Sequence, residues 1–331
     1  MTTSAVERLP SRRPTIGAML AKLGPFVGLI FVLGFFSAMR PATFATHQTM
    51  EFILIHATVV ITAALGQTMI IISGGIDLSV GSNIALCTVV CATALKAGCP
   101  PLLAAAAGVC AGALCGLLIG GFITGLGLVP FIATLVTWGG LRGAAEYLAN
   151  DQMVRVPEAK LESWLSTLLN PPEQSWMILP VGVWLMIFLC LSMVAVLRYT
   201  RFGRHIFAIG SNEQTARLCG IPVKRTKLII YTLAGALAGV AALMQFSELN
   251  MGDPTTATGM ELDIIAAVVI GGASLSGGKG TVLGTVIGSL IMKSVDNGCT
   301  KMHVPNSIEL MITSMIILAA CTLDQLRVRR E

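Results

Sequence analysis

The stretch "SGGIDLSVGSN", residues 73–83, lies between two uncharged apolar segments. Residues 52–76 contain no Asp, Glu, Lys or Arg, and residues 78–95 contain none either. Asp77 stands alone between them, with Gly74, Gly75 and Gly81 around it. Backbone at membrane depth leaves the helical conformation only where protein or water satisfies its polar groups. The stretch therefore predicts a helix break that packs against other parts of a membrane protein.

The composition supports the membrane interpretation. The 331 residues are 54% hydrophobic and 12% charged, and the mean hydropathy is +0.80. A soluble domain has about 25% charged residues. Residues 97–141 are 45 consecutive uncharged residues, enough for two spans of about 20 residues. We predict an all-α polytopic membrane protein and exclude a soluble domain.

About ten transmembrane helices are predicted. They cover roughly residues 24–40, 52–73, 78–96, 101–121, 128–147, 176–197, 228–248, 262–277, 281–298 and 305–323. The predicted organisation is an N-terminal tail (1–23), one transmembrane domain (24–325) with a long loop at 198–227, and a C-terminal tail (326–331).

The basic residues indicate the orientation of these spans. With a cytoplasmic N-terminus, 15 of the 22 Lys and Arg residues fall in cytoplasmic segments, and the opposite orientation leaves 7 or fewer there. The positive-inside rule therefore places both termini in the cytoplasm. This topology also explains the net charge of +5 without a nucleic-acid partner.

Enzyme and metal motifs are not found in the sequence. The nine cysteines include no C-x-x-C pair, and the four histidines have no ligand spacing. We find no His/Glu metal motif, no nucleophile elbow and no paired acids within a span. The sequence therefore predicts neither a metal site, nor a bound cofactor, nor a catalytic residue.

Glycines recur at four-residue spacing in three predicted helices. They are Gly108, Gly112, Gly116 and Gly120, then Gly235 and Gly239, then Gly280, Gly284 and Gly288. This spacing stacks the glycines on one helix face, where a second backbone can approach closely. The pattern predicts tight helix packing, either within one chain or between two copies.

A short repeat links the two halves of the chain. "GGIDLSVG" (74–81) matches "GGASLSGG" (271–278), and each copy follows an apolar segment. Glycine-broken segments at corresponding positions of two halves are a pointer to a transport pathway. The second copy also resembles a phosphate loop, but Ala273 and Gly280 break the Walker A pattern. We therefore expect no ATP hydrolysis by this chain alone.

The loop 198–227 carries the signals of a short helix. Ser211 and Gln214 have capping-box spacing, Gly220 is placed as a C-cap, and Pro222 stops continuation. We predict a helix of about two turns over roughly 212–219. A helix this short is marginal in water, so either this protein or a partner must hold it.

Five segments together resemble one known family. They are "GGIDLSVGS" (74–82), "FIATLVTWGGLRG" (131–143), "FGRHIFAIGSNEQTARLCGI" (202–221), "ELDIIAAVVIGGASLSGGKGT" (261–281) and "NG" (297–298). In this order they resemble permease subunits of bacterial ABC importers for ribose, xylose, galactose and related monosaccharides. Val136, Trp138 and Cys219 depart from the usual family residues, and Trp138 would alter substrate fit if it faces the pathway.

The resemblance implies a division of labour among several chains. Two permease subunits form the pathway in the bacterial inner membrane, a periplasmic protein delivers the sugar, and a cytoplasmic ATPase binds ATP and Mg²⁺. The capped helix in 198–227 is then the coupling element that docks on the ATPase. Its predicted residues are Gly203, Arg204, Gly210, Ser211, Asn212, Gln214, Ala216, Arg217 and Gly220.

Asp77 has four possible roles. A charge at the bilayer centre costs about 2.5–3.5 kcal/mol, so Asp77 should face protein or water. It caps the next helix through the amide of Ser79 or Val80, lies at the membrane surface near the ATPase, accepts from a sugar hydroxyl, or carries a proton. Capping is the leading interpretation.

Neutral amides are better candidates for sugar contacts, because they pair with hydroxyls without a buried charge. Asn83 and Asn297 are the two chosen, and interhelical hydrogen bonding is the alternative for both. The predicted pathway residues are Asp77, Ser79, Asn83, Phe131, Thr134, Trp138 and Asn297.

Carboxylates are predicted at the outer rim of the protein. Glu51, Glu261 and Asp263, with Glu309, would meet a docking binding protein there; a plain solvated rim is the alternative for each one.

One rival function stays open at this point. A secondary transporter would couple sugar to an ion through Asp77 and need no ATPase, and it has no reason to build a docking helix. The sequence decides neither the sugar nor whether the second permease is another copy of this chain.

Overall fold

A computed structural model describes residues 16–161, 163–170 and 179–328. The helices that pack into the bundle are α1 (Ile16–Met39), α2 (His47–Ile72), α3 (Val80–Lys96), α4 (Pro101–Gly125), α5 (Pro130–Ala149), α7 (Val181–Tyr199), α10 (Val223–Leu249), α11 (Met260–Ile270), α12 (Val282–Lys301) and α13 (Asn306–Val328). The shorter elements are β1 (Val154–Arg155), α6 (Glu158–Leu161), α8 (Arg201–Ser211), α9 (Glu213–Leu218) and β2 (Met251–Gly252).

The structure confirms a helix at each predicted transmembrane segment. By length and composition, four of the described helices are able to cross a membrane: α2, α4, α7 and α10. The count of ten spans therefore stays a prediction. Several boundaries differ from the prediction: α1 begins at Ile16 inside the predicted tail, α2 begins at His47, α10 begins at Val223, and α13 extends to Val328. Part of the sixth segment (176–178) lies outside the described residues.

The predicted eighth span, 262–277, is wrong in length. Helix α11 covers 260–270, and the chain is irregular from 271 to 281. Eleven residues rise only about 16 Å, roughly half the hydrocarbon thickness. The sequence stays apolar beyond residue 270 because the irregular residues that follow are also buried in the protein, as Ala273 and Ser274 show. The apolar pattern therefore did not reveal where the helix ends.

The predicted glycine packing is confirmed and lies within one chain. Helices α4 and α10 meet along the glycine faces of both, where a methyl group on Gly112 would overlap the carbonyl oxygen of Gly235. A methyl on Gly116 would overlap the carbonyl of Tyr231, and one on Gly239 would lie 2.7 Å from the Cα of Val109. The glycines therefore let two backbones touch directly.

Gly112→Ala should lower the stability of the bundle. The added methyl meets backbone rather than a movable side chain, and overpacking of this kind costs about 1–3 kcal/mol. The same change at Gly121, on the same helix, meets nothing within 4 Å. We expect a lower apparent melting temperature in detergent for Gly112→Ala, and no decrease for Gly121→Ala. Equal melting temperatures would contradict the close approach.

Helix α2 is the centre of the fold, and α12 runs antiparallel beside it. Its residues from Ala57 to Ile72 are all buried. Thr68 Oγ1 lies 2.7 Å from Thr285 Oγ1 of α12, while the first half of α2 faces Lys293 and Asn297 across a cavity. The end of α2 at Ile72 and the start at His47 therefore mark two opposite ends of the bundle.

The segment between α10 and α11 folds back into the bundle. Met251 and Gly252 pair antiparallel with Arg155 and Val154. The chain then passes beside α3, so that a methyl on Gly81 would overlap the carboxylate of Glu261. Residues 253–259 lead to the start of α11 beside α3, and we call them the inward segment.

One arginine holds the inward segment. Arg142 of α5 donates from Nη1 to the carbonyl oxygens of Pro254 (2.6 Å) and Thr256 (2.9 Å). Both carbonyls belong to irregular backbone that has no helical partners of its own. A charged donor satisfies them, as irregular backbone inside a bilayer requires.

Candidate coupling site and transport pathway

The second glycine-rich repeat contacts the end of the helix that leads into the first one. The amide of Gly278 in the second repeat donates to the carbonyl oxygen of Ile72, at the end of the helix that precedes the first repeat (2.8 Å). We call this contact, with residues 72–75 and 277–278, the repeat junction. The second repeat is therefore in direct contact with the helix end that leads into the first repeat, which the sequence match did not predict.

Both helices enter their repeats with the same end geometry. Gly74 (φ 80) and Gly272 (φ 92) are left-handed, and the residue after each donates back to the helix, Gly75 to Ile70 and Ala273 to Val268. These are Schellman-type helix ends. The structural equivalence is one residue out of register with the sequence match, which pairs Gly74 with Gly271.

Helix α8 packs directly on the repeat junction. A methyl on Gly210 would overlap the Ile72 carbonyl and lie 2.6 Å from the Gly278 amide nitrogen. Ile206 and Ile209 on the same helix are buried. A movement of α8 would therefore reach both glycine breaks at once.

The loop 198–227 contains two helices, whereas one was predicted. Helix α8 was missed because its start signal, Thr200 accepting from the Gly203 amide (3.1 Å), lies next to the end of α7. The predicted cap of the second helix is also corrected. Asn212 rather than Ser211 caps α9, by accepting from the Thr215 amide (2.8 Å), because Ser211 is still the last residue of α8. Gly220 ends the element at φ 79, as predicted.

Ion pairs and a small apolar cluster hold α9 in place. Glu213 accepts from Lys227 Nζ of α10 (2.6 Å) and from Arg217. Burial alone would raise the pKa of Glu213, but hydrogen bonds and charge from Lys227 and Arg217 outweigh it and lower this pKa. Ala216 is buried against Ile209 and Val223. A helix this short was predicted to need support from this protein or from a partner. The support comes from this chain.

The outer face of α8 and α9 is open. Exposed residues there include Arg204, Ser211, Asn212, Gln214, Arg217 and Gly220, all predicted for coupling, while Gly203 and Ala216 are buried. Leu218 is 88% exposed, and the sequence reasoning missed it. The signal was an apolar residue one turn after Gln214, on the face opposite to the buried Ala216.

Asp77 lies inside the protein, 7% exposed. Its Oδ1 accepts from the Ser79 amide (2.7 Å) and from the Ser79 hydroxyl (2.6 Å). The predicted bond from the Ser79 amide is therefore present. This bond closes a turn just before α3. Asp77 is not the N-cap of α3, because Ser79 occupies that position. Burial argues against the membrane-surface role.

Asp77→Asn should be mild. An asparagine oxygen accepts from the same amide, and Asn is as good as Asp at helix starts, so the expected loss is below about 1 kcal/mol. Asp77→Ala removes the acceptor and leaves buried Ser79 groups unpaired, which costs about 1–3 kcal/mol. Asp77→Ala should therefore have a lower melting temperature and lower uptake than Asp77→Asn. Complete loss of uptake by Asp77→Asn at a normal melting temperature would show that the charge itself is required.

The structure joins two residues from different predicted groups. Trp138 of α5 donates from Nε1 to Glu261 Oε1 (3.1 Å). Glu261 is 8% exposed, so its predicted place on an outer rim is wrong. The inward segment places Glu261 inside the bundle. The predicted eighth span, 262–277, did not include this segment. Trp138 itself is 36% exposed.

The other predicted pathway residues do not form one group. Thr134 is buried and donates to the Ile76 carbonyl (3.3 Å), next to Asp77. Asn83 reaches the Gly112 carbonyl (3.5 Å), which is the interhelical bonding left open above. Phe131 is 48% exposed at the start of α5. Asn297 lies level with the first half of α2, about 24 Å along the helices from Ile72.

Of the remaining predicted rim acids, Glu51, Asp263 and Glu309 are each partly buried. Glu51 Oε2 lies 3.9 Å from His47 Nδ1 at the start of α2. Within the described ranges, no group of three or more His, Cys, Asp and Glu residues is placed to hold a metal ion.

A helical membrane bundle with paired glycine breaks and a separate two-helix element on their junction has the parts of a transport subunit. A model of the permease family described as "Branched-chain amino acid transport system / permease component" matches residues 49–321. The chain belongs to this family, whose members are permease components of ABC transport systems.

The curated relatives cover the full chain. The chain is 36% identical to the ribose import permease protein of Escherichia coli K12, over 98% of this chain and 99% of that protein. It is 33% identical to the fructose import permease protein of Bifidobacterium longum (98% and 97%) and 32% identical to the L-arabinose ABC transporter permease protein of Azospirillum brasilense (86% and 82%). No solved structure gives a significant match.

Proposed function

We propose that this chain is the permease subunit of an ATP-driven importer that moves a monosaccharide across the bacterial inner membrane by alternating access. The observation that carries the proposal is the packing of α8 on the repeat junction, because an element that docks outside contacts both glycine breaks inside. The sugar specificities of the relatives support a monosaccharide as the substrate.

The coupling residues are those on and under the open face of α8 and α9. Arg204, Arg217 and the exposed Leu218 would contact the ATPase, which supplies the ATP and Mg²⁺ site. Gly203, Gly210 and Ala216 would transmit its movement through buried contacts. The excess of Lys and Arg near this face supports cytoplasmic termini.

The pathway would run past the group formed by Asp77, Thr134, Trp138 and Glu261, where irregular backbone and polar side chains meet inside the bundle. A second permease, identical or related, would complete it, and a periplasmic binding protein would deliver the sugar at the end away from α8 and α9. Glu51 and Asp263 are the rim carboxylates that remain for that docking.

A pull-down tests the proposal. The chain carries a C-terminal tag, native membranes are solubilised in a mild detergent, and co-purifying proteins are identified by mass spectrometry. We expect an ATPase in stoichiometric amount, lost when Arg204→Ala is combined with Gly220→Val, because valine is strained at the left-handed Gly220 (φ 79).

A matched pair of changes at the opposite end of the bundle is the control. Lys96→Ala with Gly98→Val also removes an exposed cation and places valine at a left-handed glycine (φ 96). The ATPase should be retained in this variant. No ATPase with the wild type in several mild detergents would favour the ion-coupled transporter instead.

A further inference from the structure

A cavity of about 550 Å³ lies at the end of the bundle opposite to α8 and α9. It is bounded by the α1–α2 loop, the first turns of α2 and the last turns of α12, and it includes Thr49, Phe52, His56, Lys293, Asp296 and Asn297. Its volume is within the range of small-molecule sites, about 300–1,000 Å³. Of its lining residues, the predicted pathway includes Asn297 alone.

One residue of the cavity wall has a buried oxygen without a hydrogen-bond partner. Asn297 is 8% exposed, and its Oδ1 is buried with no hydrogen-bond partner in the described structure. An unsatisfied buried amide oxygen costs about 1–3 kcal/mol, so such atoms normally have partners. The missing partner is a hydrogen-bond donor. Because Oδ1 has almost no accessible surface, a ligand in the cavity supplies this donor only after the Asn297 amide turns towards the cavity that the residue lines.

The rest of the wall is suited to a hydroxylated molecule, and the exposed Lys301 adds one positive charge to it. Lys293 Nζ lies 2.8 Å from Asp296 Oδ2, so this pair offers a donor and an acceptor side by side without a net charge. The His56 ring is fixed at both nitrogens, by the Phe52 carbonyl (2.9 Å) and by Glu248 (3.3 Å). Its face stacks on Phe52, with ring centroids 3.7 Å apart. Neighbouring hydroxyls pair with donors and acceptors, and the C–H face of a sugar packs on such rings.

We propose that this cavity is a binding site for a monosaccharide on the permease itself, about 24 Å from the repeat junction along α2. The inference rests on the proposed function, because it takes the ligand class from that proposal. The sugar hydroxyl donates to Asn297 Oδ1, Lys293 and Asp296 bind further hydroxyls, and Phe52 covers one face. The site would receive sugar at this end before it enters the pathway.

The test measures sugar binding to the purified full chain, with no ATPase or binding protein present. D-ribose, D-fructose and L-arabinose are titrated separately, and binding is followed by saturation-transfer NMR, which detects weak ligands. At least one of the three should bind. Asn297→Leu should raise its Kd about two- to tenfold, the effect of one neutral hydrogen bond. Lys293→Met should raise the Kd about ten- to a hundredfold, because the lost donor is charged.

Two further variants make the result decisive. His47→Gln is the control, because His47 is adjacent to the cavity in sequence, does not line it and has a side chain that is 91% exposed. Its Kd should be unchanged. Phe52→Leu removes the ring from a residue that is 47% exposed, so a weaker Kd at an unchanged melting temperature would support the site even if Asn297→Leu fails to fold.

Two outcomes would overturn the proposal. They are no binding of any of the three sugars to wild-type chain, and binding that Asn297→Leu and Phe52→Leu leave unchanged. Because the assay contains no ATPase, a failed pull-down with Asn297-dependent sugar binding would count against the proposed function alone. A successful pull-down without sugar binding would count against the cavity alone.

Discussion

Gly210→Ala should abolish ATP-driven sugar uptake. The new methyl would occupy the space of the Ile72 carbonyl and the Gly278 amide, two backbone groups that hydrogen-bond to each other. Backbone cannot rotate away as a side chain does, so α8 must shift off the repeat junction, at a cost of about 1–3 kcal/mol. The exposed residues proposed to contact the ATPase, Arg204, Arg217 and Leu218, are unchanged in this variant, so ATPase recovery in the pull-down should persist while uptake falls to background.

The control is the same substitution where there is room. Gly121 of α4 is also helical, and a methyl there meets nothing within 4 Å. Gly121→Ala should retain uptake and gain up to about 1 kcal/mol, because alanine is the better helix former. Both variants are assayed for uptake into proteoliposomes and for melting temperature. Full uptake by Gly210→Ala would refute transmission through the repeat junction.

Arg142→Met should be the most destabilising single change outside the glycine faces. It removes both hydrogen bonds that hold the inward segment and leaves the Pro254 and Thr256 carbonyls without their donor. Each bond from a charged donor contributes about 1.5–3 kcal/mol, and the freed carbonyls lie in irregular backbone. The segment that carries Glu261 to Trp138 should then loosen.

Proteolysis and thermal unfolding in detergent would measure this effect. Arg142→Met should be cleaved within 253–259 at protease concentrations that spare the wild type. Arg155→Met is the matched control, because Arg155 is an exposed cation in the strand that pairs with Met251 and Gly252, just before this segment. Its cleavage should match the wild type. An uncleaved segment in Arg142→Met would show that the β1–β2 pairing alone is enough to hold it.

Much of this arrangement was readable from local sequence. Apolar runs predict helices because a bilayer requires internally paired backbone, and glycines every four residues predict backbone contact. The Gly-Gly repeat marked the two breaks, since each needs a left-handed residue at a helix end. The resemblance to sugar permeases rested on motif order and was confirmed over the full chain.

The parts that could not be predicted depend on contacts distant in sequence. Glu261 reads as an acid before an apolar run, and only the fold shows that the inward segment buries it beside Trp138. Asn83 and Asn297 have the same chemistry, but one is partnered across a helix interface and the other faces a cavity. The loop 198–227 hid α8 because Thr200 both ends one helix and starts the next.

The glycine contact between α4 and α10 also affects the order of assembly. Gly112 precedes Gly235 by about 120 residues, so at bacterial synthesis rates roughly 6–24 s pass between the two. During that interval α4 must reside in the membrane with its glycine face uncovered, and α5 and α7 are inserted before the matching surface exists. Insertion factors that shield a half-formed helix pair would therefore act on α4, and slowing translation after residue 125 should lengthen its exposure to quality-control proteases.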